Sequence, residues 1–181
     1  MKLTPTAVDG VMLIDPEVFA DERGFFMETW HAAKFAKVGL DVAFVQDNHS
    51  SSQRGVLRGL HYQATRPQGK LIRVAVGAVF DVAVDLRRAS ATFGRWFGAR
   101  LEARSRRMLW IPPGLAHGFL TLTDTAEVLY KCTDFHAPGD ERTIAWNDGD
   151  LAIDWPLAPG EAPILSVKDA GGGAFRDALL D

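Results

Sequence analysis

Two histidines in this sequence have local settings in which an imidazole can move protons. His61 lies in the segment 56–63, VLRGLHYQ. Its immediate neighbours should point to the opposite face of a strand. Arg58 is an odd number of residues away, so it shares a face with His61 only if Gly59 forms a bulge or begins the strand. His117 follows the tight turn of residues 112–114, PPG, at the start of another strand.

The histidines taken one at a time do not establish a site. His61 and His117 are each explained equally well as hydrogen-bonded core residues, because histidine is intermediate in burial. Polar surroundings place His31 and His49 at the surface. His136 stands where a loop begins and, taken alone, is also expected at the surface.

The turn before His117 has the spacing Pro-x-Gly-x-x-His, which resembles the second motif of the cupin superfamily. In metal-binding cupins the first motif supplies two histidines flanking one residue, with a glutamate shortly after. Here the second of those positions is Gln63, and no glutamate follows closely. A tight divalent site needs three or four converging ligands. We therefore expect a pocket that holds no metal.

The elements that position these residues are short apolar or alternating runs broken by Gly, Pro and Asp, which is typical of β-strands. Residues 71–76 and 79–86, joined through Gly77, predict a hairpin. Residues 96–101 and 108–111 predict a second pair across a charged turn, and runs at 120–122 and 126–132 follow with a bend at Asp124. Only residues 30–38 and 174–180 have a helical pattern. The missing helices exclude a doubly wound fold and favour an all-β sandwich or barrel.

Length, charge and cysteine content limit the classes of protein. The chain has 181 residues, 47% of them hydrophobic, and a net charge of −3. This predicts one domain, residues 1–181, with a core at about 40–155 and the two ends packed on it. The acidic balance disfavours nucleic acid, so an anionic ligand needs a local cluster of cations. Cys132 is the only cysteine, which excludes internal disulfides and cysteine-rich zinc sites.

The sequence predicts a cytoplasmic protein with no membrane contact. The first 16 residues lack a basic region followed by an apolar stretch, so no signal peptide is expected. No apolar run approaches the length needed to span a bilayer.

Six separated motifs together carry a resemblance to one family. They are DERGFFME at 21–28, FVQDNHS at 44–50, VLRGLHYQ at 56–63, QGK at 68–70, AEVLYK at 126–131 and LSVKD at 165–169. In this order they resemble the dTDP-4-dehydrorhamnose 3,5-epimerases over about residues 11–169. The resemblance implies a cupin-type jelly-roll barrel of antiparallel strands with short peripheral helices.

The resemblance also implies roles for individual residues. It makes His61 the proton acceptor, Asp169 its carboxylate partner, Tyr130 the proton donor and Lys70 a contact near the ketone of the sugar. Binding of the nucleotide sugar is implied for Arg23, Glu28, Gln46, Asn48, Arg58, His117, Glu141 and Lys168. His136 stands where the family has a Tyr or Phe that stacks on thymine, and an imidazole stacks with less area.

The family chemistry suits these residue types. A histidine has an ordinary pKa of about 6.5, which fits it to remove the proton beside a ketone. A carboxylate orients the ring, a lysine stabilises the enolate oxygen, and a protonated phenol returns a proton from the other face. One ketone acidifies both adjacent carbons, so one site can invert both. No hydride moves, and no glycine-rich phosphate motif follows a strand, so no cofactor is expected.

The expected substrate is a dTDP-4-keto-6-deoxy sugar, converted to dTDP-4-dehydrorhamnose in dTDP-rhamnose biosynthesis. The resemblance also implies a homodimer with strand exchange, in which Arg23 and Glu28 reach the pocket of the partner. Three alternatives remain open from the sequence: an epimerase acting at one carbon only, a metal-dependent cupin, and a sugar-nucleotide-binding protein without activity. Tyr130 as a core residue, and Lys168 and Asp169 as surface residues, also remain open.

Overall fold

The computed structural model describes residues 1–178, and its regular structure is almost entirely β. In chain order the strands are β1 (Lys2–Pro5), β2 (Met12–Asp15), β3 (Val18–Asp21), β4 (Gly24–Met27), β5 (Gln46–Gln53), β6 (Leu57–Gln63), β7 (Lys70–Val76), β8 (Ala78–Asp85), β9 (Trp96–Glu102), β10 (Met108–Ile111), β11 (Leu115–Thr121), β12 (Thr125–Cys132) and β13 (Glu141–Thr143).

The strands form two larger sheets and one separate hairpin. The six-stranded sheet has the order β1-β2-β10-β7-β12-β5, the five-stranded sheet has the order β13-β6-β11-β8-β9, and β3 pairs with β4. Every strand pairing is antiparallel. Apolar side chains of both sheets meet in one buried cluster, which includes Ile72 and Val128 from one sheet and Val79 and Phe119 from the other. The predicted all-β jelly-roll barrel is confirmed.

The predicted strand pairs, however, are wrong. β7 and β8 do not form a hairpin, because β7 pairs with β10 and β12 whereas β8 pairs with β9 and β11. β9 and β10 likewise lie in different sheets. So do β11 and β12, on either side of the bend at Asp124. Each short connection crosses from one sheet of the barrel to the other.

The turn at Gly77 shows why a short connection here is not a hairpin. Its φ of +71° is in the left-handed region, and an added Cβ would lie 2.1 Å from the carbonyl oxygen of Thr125. The backbone N–H of Ala78 donates to Oγ1 of Thr123 at 2.9 Å. The turn is therefore packed against the β11–β12 connection, at an end of the barrel where the chain changes sheets.

Both sheets also have a covered outer face. Ile144, Leu151 and Trp155 of the C-terminal region pack on the outside of the five-stranded sheet. Phe35 and Leu40 pack with Trp110 on the outside of the six-stranded sheet. Between the two sheets, polar side chains gather beside the apolar cluster and line a cavity.

Helical structure is sparse and partly as predicted. Helix α1 (Ala32–Lys37) lies within the predicted stretch 30–38. A 3-10 turn, Phe175–Asp177, occupies part of the predicted stretch 174–180, whose residues 179 and 180 lie outside the described residues. Helix α2 (Val167–Ala170) was not predicted. Within residues 1–178, no helix has the length and apolarity needed to cross a membrane.

The β3–β4 hairpin carries exposed aromatic side chains. Phe19, Phe25 and Phe26 are 56%, 55% and 65% exposed. The guanidinium of Arg106 lies 4.0 Å from the centre of the Phe25 ring, which connects the hairpin to the β9–β10 turn. An exposed apolar patch of this kind is typical of a protein–protein interaction site.

Candidate active site

A cavity of about 310 Å³ opens between the two sheets. Its lining is mostly polar and comes from both walls: Gln46, Asn48, Ser50, Arg58, His61, Gln68, Lys70, His117, Phe119, Tyr130, Cys132, His136, Glu141 and Lys168. Every residue that the sequence proposed for the site is in this lining, apart from three. Asp169 lies directly behind His61, whereas Arg23 and Glu28 lie elsewhere.

A bulge in β6 places Arg58 and His61 on the same face, as the sequence analysis required. His117 is opposite His61 and Phe119 is opposite Arg58, so β6 has one residue more than β11 between these pairs. Gly59 occupies the bulge with a φ of +119°, and a Cβ there would lie 2.5 Å from Cα of Gly118. Only glycine fits this conformation and this close approach of two strands.

His61 is paired with a buried carboxylate. Its Nε2 lies 2.5 Å from Oδ1 of Asp169, whose side chain is only 4% exposed. Asp169 is held in helix α2, where Oγ of Ser166 donates to Oδ2 at 2.7 Å and accepts the Asp169 backbone N–H at 3.1 Å. Burial raises the pKa of Asp169, but hydrogen bonds from His61, Ser166 and the Gly59 backbone outweigh it and lower the pKa to about 2.

The same pairing leaves His61 equipped as a base. Burial lowers the pKa of His61, and the hydrogen bond to Asp169 acts against this decrease. The neutral ring donates its Nε2–H to the carboxylate, so Nδ1 carries the free lone pair. The ring can then accept a proton at Nδ1 while the buried anion stabilises the imidazolium.

Tyr130 and Lys70 stand on the other wall, in the six-stranded sheet. Burial raises the pKa of the half-buried Tyr130 phenol, so this group stays protonated at neutral pH and has a proton to donate. Lys70 is 9% exposed, and burial lowers the pKa of its ammonium against the opposing influence of Cys132, Glu141 and Asp81. The cavity thus has a carboxylate-backed imidazole on one wall and a phenol and an ammonium on the other.

Charged side chains border the cavity. Nζ of Lys168 donates to Oε2 of Glu141 at 2.9 Å, and Nε2 of His136 lies 3.6 Å from the same oxygen. The backbone N–H of His136 donates to Oε1 of Gln46 at 2.7 Å. Arg58 is exposed and donates from Nε to Oγ of Ser52 at 2.9 Å. Two cations at the border of a net-acidic protein provide the local positive charge that an anionic ligand needs.

Four residues that line the pocket were not assigned to it by the sequence analysis: Ser50, Gln68, Phe119 and Cys132. Asp81, which lies behind His117, was also missed. Asp81 is completely buried, and its two carboxylate oxygens lie 2.9 and 3.1 Å from Nε2 of His117. A signal was present in the sequence, because an aspartate within the apolar run 79–86 needs a buried partner. Cys132 is 1% exposed and accepts a weak hydrogen bond from Asn48 at 3.5 Å.

Arg23 and Glu28 do not reach the pocket of their own chain. Arg23 lies at the tip of the β3–β4 hairpin, with a side chain that is 82% exposed and 2.5 Å from Asp21. Glu28 follows the hairpin and is paired with Lys34 of helix α1. If these residues contribute to a site, it is not the cavity of the same chain.

In the described part of the chain, residues 1–178, no group of three or more His, Cys, Asp or Glu side chains is arranged to hold a metal ion. The three histidines of the pocket, His61, His117 and His136, each have Nε2 within 3.6 Å of a carboxylate oxygen.

The chain is similar to known proteins over almost its whole length. The sequence model of the family described as dTDP-4-dehydrorhamnose 3,5-epimerase matches residues 5–177. A Pseudomonas aeruginosa protein named dTDP-4-dehydrorhamnose 3,5-epimerase is 58% identical over 179 residues, covering 98% of both chains.

Solved structures are similar over almost the whole chain. The structure of dTDP-6-deoxy-D-glucose-3,5-epimerase RmlC from Legionella pneumophila Philadelphia 1, in complex with dTDP-4-keto-L-rhamnose, has a TM-score of 0.93 and 48% identity, covering 97% of this chain and 93% of that one. ChmJ from Streptomyces bikiniensis, a 3'-monoepimerase in complex with dTDP-quinovose, has a TM-score of 0.90 and 34% identity, covering 97% and 91%. The chain belongs to the dTDP-4-dehydrorhamnose 3,5-epimerase family.

Proposed function

We propose that this protein is a dTDP-4-dehydrorhamnose 3,5-epimerase, an isomerase of dTDP-rhamnose biosynthesis. It converts dTDP-4-dehydro-6-deoxyglucose to dTDP-4-dehydrorhamnose by inverting the two carbons beside the ketone. The observation that carries this proposal is the carboxylate-backed imidazole of His61 on one wall of a pocket and the phenol of Tyr130 on the other. Family membership and the relatives named for this activity support the same conclusion.

The reaction begins at His61. Its neutral ring removes the proton from a carbon next to the ketone, and the electron pair of the broken C–H bond forms an enolate. Asp169 stabilises the resulting imidazolium at a distance of 2.5 Å. The charge of Lys70 stabilises the enolate oxygen, and removing one such preorganised group ordinarily costs about 3 kcal/mol.

Inversion is completed by Tyr130. The phenol delivers its proton to the enolate carbon from the face opposite His61, so the configuration at that carbon changes. General acid–base catalysis of this kind contributes about 10²–10⁴-fold per positioned group. The same ketone acidifies the second carbon. Once the His61 imidazolium has released its proton to solvent and the Tyr130 phenolate has regained one, a repeat of the two proton transfers inverts that carbon as well.

Border residues bind the nucleotide. The positive charges of Arg58 and Lys168 suit the pyrophosphate, and Gln46, Asn48 and Glu141 supply amide and carboxylate groups for the sugar and nucleoside. His136 occupies the position expected to contact the base, and His117 lies deeper in the pocket, beside Asp81.

We further propose that the protein works in the cytoplasm as a homodimer of single-domain subunits. The exposed aromatic side chains of the β3–β4 hairpin support an interface, and strand exchange would bring Arg23 and Glu28 to the pocket of the partner subunit. We expect Phe26→Glu to convert the dimer to a monomer, measured by light scattering after size-exclusion chromatography. A variant that remains dimeric would contradict this interface. His31→Gln, at an exposed site outside the hairpin, is the control.

The proposed activity is tested by incubation with dTDP-4-dehydro-6-deoxyglucose in deuterated water. We expect deuterium at carbons 3 and 5 by NMR, together with the rhamno-configured product. Label at one carbon only would identify a mono-epimerase, an activity named for the similar ChmJ structure. Binding of dTDP without any exchange would identify a binding protein. Stoichiometric metal, with activity lost to a chelator, would identify a metal-dependent cupin.

A further inference from the structure

A second imidazole–carboxylate pair lies at the pocket. The proton transfers proposed for His61 and Tyr130 do not use it. His117 contacts both carboxylate oxygens of Asp81 through Nε2, at 2.9 and 3.1 Å. The side chains of His117 and Asp81 are 7% and 0% exposed, whereas that of His61 is 22% exposed. His117 lines the same cavity as Tyr130, and the centres of their rings are 6.5 Å apart.

Two inversions in one pocket require more protons than Tyr130 holds. The phenol gives up its single proton at the first carbon and becomes a phenolate. Burial raises the pKa of Tyr130, so this phenolate is a stronger base than a solvated one and needs a proton before the second inversion. A bound substrate fills the pocket and reduces access of water to the phenolate. A proton source inside the pocket would remove this limit.

We propose that His117, held by Asp81, returns a proton to Tyr130 between the two inversions. This inference rests on the proposed double epimerisation. In the step itself, the Nδ1–H bond of the His117 imidazolium breaks and an O–H bond forms at the Tyr130 oxygen. Nδ1 keeps the electron pair, and the neutral ring keeps its Nε2–H on Asp81. After the product leaves, water in the open pocket supplies a new proton to Nδ1.

Asp81 gives His117 the properties that this step requires. Both carboxylate oxygens contact Nε2, which fixes the proton on that nitrogen and leaves Nδ1 as the exchanging one. Asp81 is therefore a positioning residue, and His117 acts on the substrate through Tyr130. The ring separation allows transfer directly or through one bridging water.

Other groups near Tyr130 are less suitable donors. Arg58 does not release its proton in proteins. Burial raises the pKa of the Cys132 thiol, so that group retains its proton. Lys70 is needed as a cation at the enolate oxygen and would lose its charge by donating. An imidazolium releases its proton most readily of these groups at neutral pH.

The test is a single-turnover reaction of His117→Gln and Asp81→Asn in deuterated water, with enzyme in excess over substrate. We expect the second inversion to be slowed about 10²-fold more than the first, so that a singly inverted sugar accumulates. A tyrosinate difference band should appear in the ultraviolet during this delay. Only two tyrosines are present, so its loss in the His117→Gln, Tyr130→Phe double variant assigns it.

The matched control is His49→Gln. His49 also bonds a carboxylate, Oε2 of Glu127 at 3.0 Å, but both side chains lie outside the pocket lining. It should complete both inversions at the wild-type rate. Thermal unfolding and dTDP binding show whether each variant is folded. If Asp81→Asn does not fold, His117→Gln alone tests whether His117 returns a proton to Tyr130.

Two results would overturn the inference while leaving the proposed function intact. One is equal slowing of both inversions without a tyrosinate band, which indicates a structural or binding role. The other is wild-type kinetics in His117→Gln. Failure of the wild-type enzyme to exchange at either carbon would instead contradict the proposed function, so the two failures are distinguishable.

Discussion

Replacing Asp169 with asparagine removes the negative charge beside His61 and leaves the shape of the pocket nearly unchanged. The variant keeps the size of the side chain but removes the anion 2.5 Å from Nε2. An opposite charge at this range ordinarily raises the pKa of a group such as imidazole by about 1–3 units. Since burial already lowers the pKa of His61, loss of the anion lowers it further. The asparagine amide also donates to Nε2, which favours the tautomer with the proton on Nδ1.

Two kinetic effects follow from this substitution. We expect kcat to fall by about 10²–10⁴-fold, because the wrong tautomer has no lone pair facing the substrate. The acid limb of the pH profile of kcat/KM reports the base of the free enzyme, so it should move to lower pH by about 1 unit or more. An acid limb that stays in place or moves to higher pH would refute the pairing as the source of basicity.

A stability measurement on the same variant checks the electrostatics independently. Asp169 has a pKa lowered from 3.8 to about 2, and at about 1.4 kcal/mol per unit this stabilises the fold by about 2 kcal/mol. This contribution is complete above pH 3.8 and decreases as the pH falls towards 2. Asp169→Asn should lose it at neutral pH, measured by urea unfolding. Ser166→Ala is the comparison, because it removes the helix N-cap at a cost of about 1 kcal/mol but keeps the carboxylate.

Two further substitutions test the opposite wall of the pocket. Tyr130→Phe should lower net epimerisation by about 10²–10⁴-fold while exchange of the substrate C–H with solvent persists, seen by NMR; loss of both together would argue against separate acid and base. Lys70→Met should lower kcat by about 10²-fold and raise the unfolding temperature, because a buried ammonium is replaced by an apolar side chain. Unchanged kcat would exclude Lys70 from stabilising the enolate.

The sequence predicted the strands of the barrel better than their partners. The alternating runs at 71–76 and 79–86 correspond closely to β7 and β8. Apolar alternation indicates which face of a strand is buried. The alternation is the same in strands of either sheet, so it does not indicate which strands pair. Long-range pairing, such as β7 with β10 and β12, leaves no local signal.

In the candidate site, too, local geometry was predictable from the sequence and long-range contacts were not. The condition that Gly59 must form a bulge for Arg58 and His61 to share a face was derived from strand geometry and is met. The pairing of Asp169 with His61 was expected from the resemblance alone, because glycines follow Asp169 in the sequence and its burial depends on contact with β6. Asp81 was missed, since its partner His117 is 36 residues away.

The central claim, that His61 is the base of this pocket, is tested most directly by His61→Asn. Deuterium exchange into the substrate and dTDP affinity should be measured on the same sample. Exchange at both carbons should disappear, while dTDP affinity stays within about threefold of the wild type, since the imidazole serves proton removal rather than nucleotide binding. Continued exchange at either carbon in His61→Asn would contradict the account.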